Sequence, residues 1–365
     1  MRKFYLVLVF AFILSSFTNP VFGQCEDITV ESLTNPGPYE VATLTEADGI
    51  RNGPDYLGAT IYYPTNATPP FASIAIVPGF VSLPSSVEEW GPFYASHGIV
   101  TIIIGTNTLF DLPETRALAL LDALETIKQE NTRANSPLEA SLNLNQLAVS
   151  GWSMGGGGAQ RAAVLDNSIA GVVALCPYLN SPSLNHDSPV LILSGQNDTV
   201  APPLLHANIH YNVTPNTTNK VLFEVANGDH SVANTPNGGN GTVGKIALSW
   251  LKQYVEGNNC YCPLLTDDLL LDPPAASKLE LNFECELLGL NNHELVIGYY
   301  PNPTKNVINL RIEKDVSYEL FSSVGQRVLS GKLSGQNKQI DVSKLPASIY
   351  YLHIEGQVIK LIKNN

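Results

Sequence analysis

This chain predicts an α/β fold: a mostly parallel central sheet wrapped by helices on both faces, followed by a small all-β module. Apolar runs too continuous for half-exposed strands alternate with stretches of helical periodicity, the pattern of parallel strands buried on both faces. A serine flanked by glycines, Gly151-Trp152-Ser153-Met154-Gly155, stands where one such run gives way to a helical one. Beyond residue 298 the charge changes sign and only short strand patterns remain.

The elements follow in chain order. Strands are expected at 39–44, 58–63, 73–77, 100–104, 147–150, 171–175, 190–194 and 221–225. Leu120, Leu124 and Ile127 recur at helical spacing. Ala159, Ala162, Ala163 and Leu165 follow Met154 on a small-residue helix, and Ile246, Leu248, Trp250, Leu251 and Tyr254 mark another amphipathic one. Only 14 residues, Cys176 to Pro189, separate the strand after the small-residue helix from the next, which leaves no room for an inserted lid. A site at this junction lies open, as a bulky or polymeric substrate requires.

The glycine-flanked serine has the form of a nucleophile elbow. A sharp strand-to-helix turn lifts the serine Oγ clear of the backbone, and a Cβ at the flanking glycines would strike the neighbouring strand or helix. The helix N-terminus offers N–H groups where negative charge develops on an attacked carbonyl. A serine needs a base, and the base needs a carboxylate to hold its tautomer. The strand 190–194 runs into Gly195-Gln196-Asn197-Asp198, and 221–225 runs into Ala226-Asn227-Gly228-Asp229-His230. Ser153, Asp198 and His230 thus fall in the order serine, acid, histidine, each in a loop after a strand. Of the rival acids, Asp187 precedes its strand and Asp229 adjoins the histidine, where it points elsewhere. Asp198 has an alternative use as a turn residue capping a helix that starts near Pro202. Of seven histidines, His97, His186, His206, His210, His293 and His353 lack the position of His230 and read as structural or exposed. Phe80, after Pro78-Gly79, and Met154 are the expected oxyanion donors through their N–H groups. Phe80, Met154, Trp152 and Tyr178 are expected to wall the cleft, with core packing as the alternative for Trp152 and Tyr178. The chemistry calls for no metal and no cofactor.

Residues 1–23 read as a secretory signal: Arg2 and Lys3, an apolar stretch from Phe4 to Phe17, and small-residue spacing before Gln24. The stretch is too short for a membrane anchor. A chain exported in this way has 342 residues left for a sizeable core and an accessory module. The net charge of −13 argues against nucleic-acid or anionic-membrane partners, and a monomer is expected. Export makes disulfides plausible for the five cysteines. Cys176 sits among apolar residues and reads as a buried thiol. The other four can pair in three ways; Cys262 with Cys285 and Cys25 with Cys260 is preferred, although spacing alone does not decide. Residues 299–365 carry nine basic and five acidic side chains, or +4, leaving −17 for the rest. The boundaries expected are a catalytic domain at 24–264, a linker at 265–298 containing Asp272-Pro273-Pro274-Ala275-Ala276, and a β module at 299–365. Strand patterns at 307–312 and 348–354 and turn signals at Gly325-Gln326 and Gly335-Gln336 mark that module.

From Gly58 to about Pro263 the chain resembles the bacterial cutinase-like polyester hydrolases, the group that includes poly(ethylene terephthalate) hydrolases. The resemblance rests on Tyr62-Tyr63-Pro64, Ile74-Ala75-Ile76-Val77-Pro78-Gly79-Phe80, Trp90-Gly91-Pro92, Thr106-Asn107-Thr108, Asn197-Asp198-Thr199-Val200-Ala201-Pro202 and Gly228-Asp229-His230-Ser231. Above all it rests on Trp152-Ser153-Met154-Gly155-Gly156-Gly157. It implies a lidless α/β-hydrolase acting on polyesters and short acyl esters. The triad would be Ser153, Asp198 and His230, the oxyanion donors Phe80 and Met154, and the cleft would be bordered by Phe80, Met154, Tyr178, Val200 and Ser231. The chain departs from the family in having Phe80 for a usual tyrosine and Tyr178 for a usual tryptophan. Ser231 stands where many cutinases carry phenylalanine, and His206 where some relatives have serine. The tail resembles the type IX secretion sorting domain through Tyr300-Pro301-Asn302-Pro303, Leu320-Phe321-Ser322-Ser323-Val324-Gly325-Gln326, Ile340-Asp341-Val342-Ser343-Lys344-Leu345 and Lys360-Leu361-Ile362-Lys363. That implies export by the type IX machinery, then release or attachment to the cell surface. Two other functions fit the same residues: a carboxylesterase or lipase for small soluble esters, and a non-catalytic surface-binding protein on a hydrolase scaffold.

Overall fold

In a strand buried on both faces every side chain must be apolar or internally bonded, and the central runs of this chain satisfy that almost residue by residue. The computed structural model describes residues 25, 27–265, 276–285, 298–311, 315–334, 338–354 and 357–364. Six strands run parallel: β3 (Phe71–Val77), β4 (Val100–Ile104), β5 (Leu142–Trp152), β6 (Gly171–Leu175), β7 (Val190–Gly195) and β8 (Lys220–Val225). Three antiparallel strands complete a nine-stranded sheet: β1 (Val41–Thr45), β2 (Ala59–Pro64) and β9 (Ala276–Asn282). The order across the sheet is β1-β2-β4-β3-β5-β6-β7-β8-β9.

Helices close both faces. On one, α1 (Trp90–Ser96) and α5 (Thr242–Tyr254) bury Trp90, Phe93, Trp250 and Leu251 against Ile74, Leu193 and Phe223. On the other, α2 (Pro113–Glu130) and α3 (Met154–Leu165) bury Leu120, Leu124, Ala159 and Ala162 against Val77, Val149 and Ile192, joined by Tyr211 of α4 (Ala207–Val213). The small residues of α3 let it approach closely: a Cβ at Gly158 would lie 2.9 Å from the Arg116 side chain of α2. Because the parallel strands share one direction, their carboxyl ends and the loops that follow them gather at one edge of the sheet. The loops after β3, β5, β7 and β8 carry Phe80, Ser153, Asp198 and His230.

The preferred cysteine pairing is the observed one. Cys25 joins Cys260 and Cys262 joins Cys285, with Cα atoms 5.2 and 5.5 Å apart, while Cys176 is a buried free thiol. Residues 265–298 are not simply a linker, however. Within them β9 pairs along the length of β8, from Lys220 opposite Asn282 to Val225 opposite Ala276. None of its residues is fully buried, as suits an edge strand. Residues 272–275 of the expected linker, and the signal segment 1–23, lie outside the described residues. The helix expected near Pro202 begins instead at Ala207.

Residues Leu287–Asn365 form a second compact unit. It has a three-stranded sheet of β10 (Gly298–Tyr300), β11 (Val307–Arg311) and β14 (Gln339–Asp341). A four-stranded sheet is built from β12 (Val316–Ser322), β13 (Arg327–Leu333), β15 (Ser348–Ile354) and β16 (Gln357–Lys363). Ile308, Leu310, Leu320, Ile340 and Leu352 form its core, and Gly325 turns the β12–β13 hairpin at φ 78°. The second turn signal, Gly335-Gln336, lies outside the described residues.

A chain ended after residue 264, with Cys262→Ser, loses β9 and the Cys262–Cys285 closure of 23 residues, whereas one ended after residue 286 keeps both. A disulfide over such a loop contributes about 3 kcal/mol. At about 2–4 °C per kcal/mol for a domain of this size, the shorter chain is expected to melt at least about 6 °C lower by circular dichroism. Equal melting would show that β9 and its disulfide are dispensable.

Candidate active site

The backbone reverses from β5 into α3 within a single residue. Ser153 sits at φ 58°, ψ −121°, a region that L-residues avoid unless their surroundings enforce it. The enforcement is steric. A Cβ at Gly151 would fall 2.4 Å from the Gly155 backbone, and one at Gly155 would fall 2.4 Å from the Val77 carbonyl oxygen. Only glycine permits these approaches, so the spacing of the motif follows from the turn it makes.

The loops after β7 and β8 bring the other two residues to this turn. Ser153 Oγ lies 2.9 Å from His230 Nε2, and His230 Nδ1 lies 2.7 Å from Asp198 Oδ2. The Asp198 carboxylate is buried, and its other oxygen accepts the N–H groups of Val200 and Ala201 at 2.8 Å each. The two uses of Asp198 considered from sequence therefore coexist: one oxygen organises the turn and the other faces the imidazole. Asp229, the rival acid, accepts instead from the N–H and hydroxyl of Ser231. Such a relay can take the proton of an attacking serine and return it to a leaving alcohol.

The loop after β3 passes over the serine. A Cβ at Gly79 would lie 2.9 Å from Ser153 Cβ, so Phe80 follows directly on a contact with the serine. Met154 opens α3, where its N–H belongs to the first turn and has no carbonyl within the helix to accept it. Both expected donors therefore stand beside Ser153. Phe80 is 42% exposed and meets the exposed Phe110 ring edge-on at 5.7 Å; Val200 is 58% exposed.

Trp152 serves the scaffold. Its half-buried indole packs on the core, donates its N–H to the His230 carbonyl at 2.8 Å and lies against the imidazole, centroid to centroid 5.0 Å. The Ser231 hydroxyl, expected at the cleft border, is turned to Asp229. Tyr178 donates its N–H to the Ser153 carbonyl and its ring stacks on His206 at 4.3 Å.

Sequence reasoning set aside His206 and His210 with the other histidines, yet both lie under the Tyr178 loop. His206 Nδ1 is 3.3 Å and His210 Nε2 3.2 Å from the Leu179 carbonyl, and Gln160 of α3 meets His210 Nδ1 at 3.0 Å. A neutral His210 with its proton on Nε2 satisfies both contacts, as donor to Leu179 and acceptor from Gln160. The i, i+4 spacing of these two histidines was the one signal in the sequence. Of the remaining histidines, His97 meets the Thr34 carbonyl, His186 is buried and His353 packs on Phe321; His293 lies outside the described residues.

A serine, histidine and carboxylate in this order on a strand-to-helix turn of a parallel sheet define a serine hydrolase of the α/β-hydrolase architecture. Residues 19–277 match the family described as PET hydrolase-like, and the chain belongs to that family. It is a serine carboxylic ester hydrolase. It is 34% identical to the bis(hydroxyethyl) terephthalate hydrolase of Streptomyces coelicolor, over 65% of this chain and 75% of that protein. It is 36% identical to cutinase est1 of Thermobifida alba, over 65% of this chain and 78% of the relative. With cutinase 2 of Thermobifida cellulosilytica the identity is 36%, over 63% and 84%. Residues 298–364 match the secretion system C-terminal sorting domain, which marks the chain for type IX export to the cell surface or beyond.

Burial holds the His210 imidazole down at about 4 and lowers that of His206. Unfolded histidine titrates near 6.5, so as the pH falls the unfolded chain takes up the proton first. The stability that neutral His210 contributes is complete above about pH 6.5 and is lost as the pH falls toward 4. Relative to a His210→Gln variant, the wild type is expected to lose about 3 kcal/mol more between pH 6.5 and 4, read from urea midpoints. Parallel pH dependences would contradict a neutral, buried His210.

Proposed function

We propose that the chain is an exported polyester hydrolase in which Ser153, Asp198 and His230 are the catalytic triad and the Phe80 and Met154 N–H groups hold the oxyanion. The observation that carries this reading is the unbroken relay from Asp198 Oδ2 to Ser153 Oγ, 2.7 and 2.9 Å in its two steps, in a cleft whose rim is exposed. His230 Nε2 takes the Ser153 proton as Oγ bonds to the ester carbonyl carbon. The tetrahedral oxyanion collapses, the alcohol leaves with the proton from His230, and water, deprotonated by the same imidazole, releases the acid.

The polymer assignment draws on the surroundings of the relay. Phe80, Val81, Leu109, Phe110 and Leu112 are all exposed, on two loops joined by a hydrogen bond from the Val81 N–H to the Leu109 carbonyl. An apolar rim of this kind suits a polymer surface better than a soluble ester. The relatives named cutinases, after a polyester, point the same way, and the bis(hydroxyethyl) terephthalate hydrolase shares the ester type. Phe80, Met154, Tyr178 and Val200 are the substrate contacts in this reading, with Ser231 at the border and Trp152 holding the His230 loop. One chain supplies all three triad residues, so the reading needs only a monomer. Residues 1–23 act as the signal, and the module at 299–365 directs export.

Amorphous poly(ethylene terephthalate) film, an aliphatic polyester and p-nitrophenyl butyrate separate the readings, with soluble products followed by chromatography. The protein is expected to release products from polymer, and Ser153→Ala to reduce release to background. Asp198→Asn is expected to lower kcat about 10⁴-fold. Cleavage of the butyrate ester alone would instead identify a small-ester carboxylesterase. Activity toward none of the three would favour a binding protein on a hydrolase scaffold.

A further inference from the structure

Arg116 is the largest cation wholly enclosed in the catalytic unit, with no exposed surface. Its guanidinium sits between α2 and the loop over Ser153 and donates to three main-chain carbonyls. Nη1 reaches Pro78 at 2.9 Å, Nη2 reaches Leu109 at 3.3 Å and Nε reaches Asp111 at 2.9 Å. The Leu109 carbonyl also accepts the Val81 N–H at 2.8 Å. One guanidinium therefore holds both ends of the Gly79-Phe80 turn, directly through Pro78 and by way of Leu109 through Val81. The turn needs holding: Val81 has φ 53°, a left-handed conformation that a β-branched residue leaves when nothing enforces it. Arg116 also touches the nucleophile helix, at the close approach of Gly158.

We propose that Arg116 is a positioning residue that clamps the Gly79-Phe80 turn and so keeps the Phe80 N–H aimed at the oxyanion beside Ser153. The inference rests on the reading of Phe80 as an oxyanion donor. A planar fork that spans three carbonyls is a task for guanidinium, and an ammonium, with its charge at one point, does not span them. Nearby Asp111 offsets part of the charge, although burial still lowers the guanidinium to about 10. Losing a group that acts only on the developing oxyanion lowers kcat and leaves ground-state binding intact.

The test compares Arg116→Lys, Arg116→Gln and Arg116→Gln with Val81→Gly in the full chain. It uses p-nitrophenyl butyrate kinetics, inhibition by butylboronic acid and thermal melting. The boronic acid forms a tetrahedral adduct on the serine and so reports on the oxyanion donors. Both single variants are expected to lose about 10- to 100-fold in kcat with KM within about twofold, the scale of a weakened oxyanion donor. The boronate inhibition constant should rise by a similar factor. Because glycine accepts φ 53° without strain, adding Val81→Gly is expected to recover several-fold of the lost kcat even if the melting temperature falls further. Arg116→Lys, which keeps the charge and most of the bulk, serves if the glutamine variant does not fold. Wild-type kcat in either single variant, a loss confined to KM, or a fall in melting temperature with unchanged boronate affinity would overturn the clamp. If the wild type hydrolyses no ester, the failure lies with the proposed function instead.

Discussion

The reversal of the chain at Ser153 is the constraint on which the site depends. A serine held at φ 58° gives up a relaxed backbone so that its Oγ stands clear of both the strand and the helix. Its N–H donates to the Leu175 carbonyl and its carbonyl accepts the Tyr178 N–H, which fixes the residue in place. The conformation persists because β5 and α3 meet with no Cβ at Gly151 or Gly155, and because β3 crosses close enough for the Val77 carbonyl to fill the space beside Gly155. The contacts that force the turn also bring the end of β3, and with it Gly79, against Ser153. Ser153 and the loop that carries Phe80 are thus products of one packing arrangement.

The other two loops are anchored less by packing than by hydrogen bonds. Asp198 divides its oxygens between two backbone N–H groups and His230, and Trp152 hands its indole N–H to the His230 carbonyl. Below Tyr178, the carbonyls of Ser153 and Leu179 and the rings of His206 and His210 form a further polar layer. Each of these buried polar groups has a partner, which anchors the loops at the edge of the sheet. An open site of this kind leaves the choice of substrate to the surface around it. There the apolar loops at 80–83 and 109–112 contrast with the acidic charge of the unit as a whole.

Much of this was legible in the sequence because short-range pattern carries it. The central strands announce themselves as unbroken apolar runs, and Ser153, Asp198 and His230 each lie within a few residues of a strand end. The cysteine pairing was preferred correctly, but only as one of three. What escaped depends on distant approach. The pairing of β9 with β8 joins residues about fifty to sixty positions apart, and the half-polar run Ala276–Asn282 lies beyond a proline-containing stretch that reads as the end of a domain. Trp152 reads as a cleft wall because it adjoins the serine, whereas its indole N–H is turned to a carbonyl 78 residues away. Arg116 gave no signal: a single arginine in an amphipathic helix looks like a solvated charge until the fold encloses it among carbonyls.

We propose that the elbow makes Ser153 a nucleophile and that His230 and Asp198 activate it. Intact-mass spectrometry after exposure to a p-nitrophenyl alkylphosphonate tests it most directly, because the reagent records nucleophilic attack without requiring any particular substrate. One phosphonyl group per chain is predicted, located by peptide mapping on Ser153, with labelling slowed by orders of magnitude in Asp198→Asn and His230→Ala. Labelling of another residue, or labelling of Ser153 that is indifferent to both substitutions, would contradict the account.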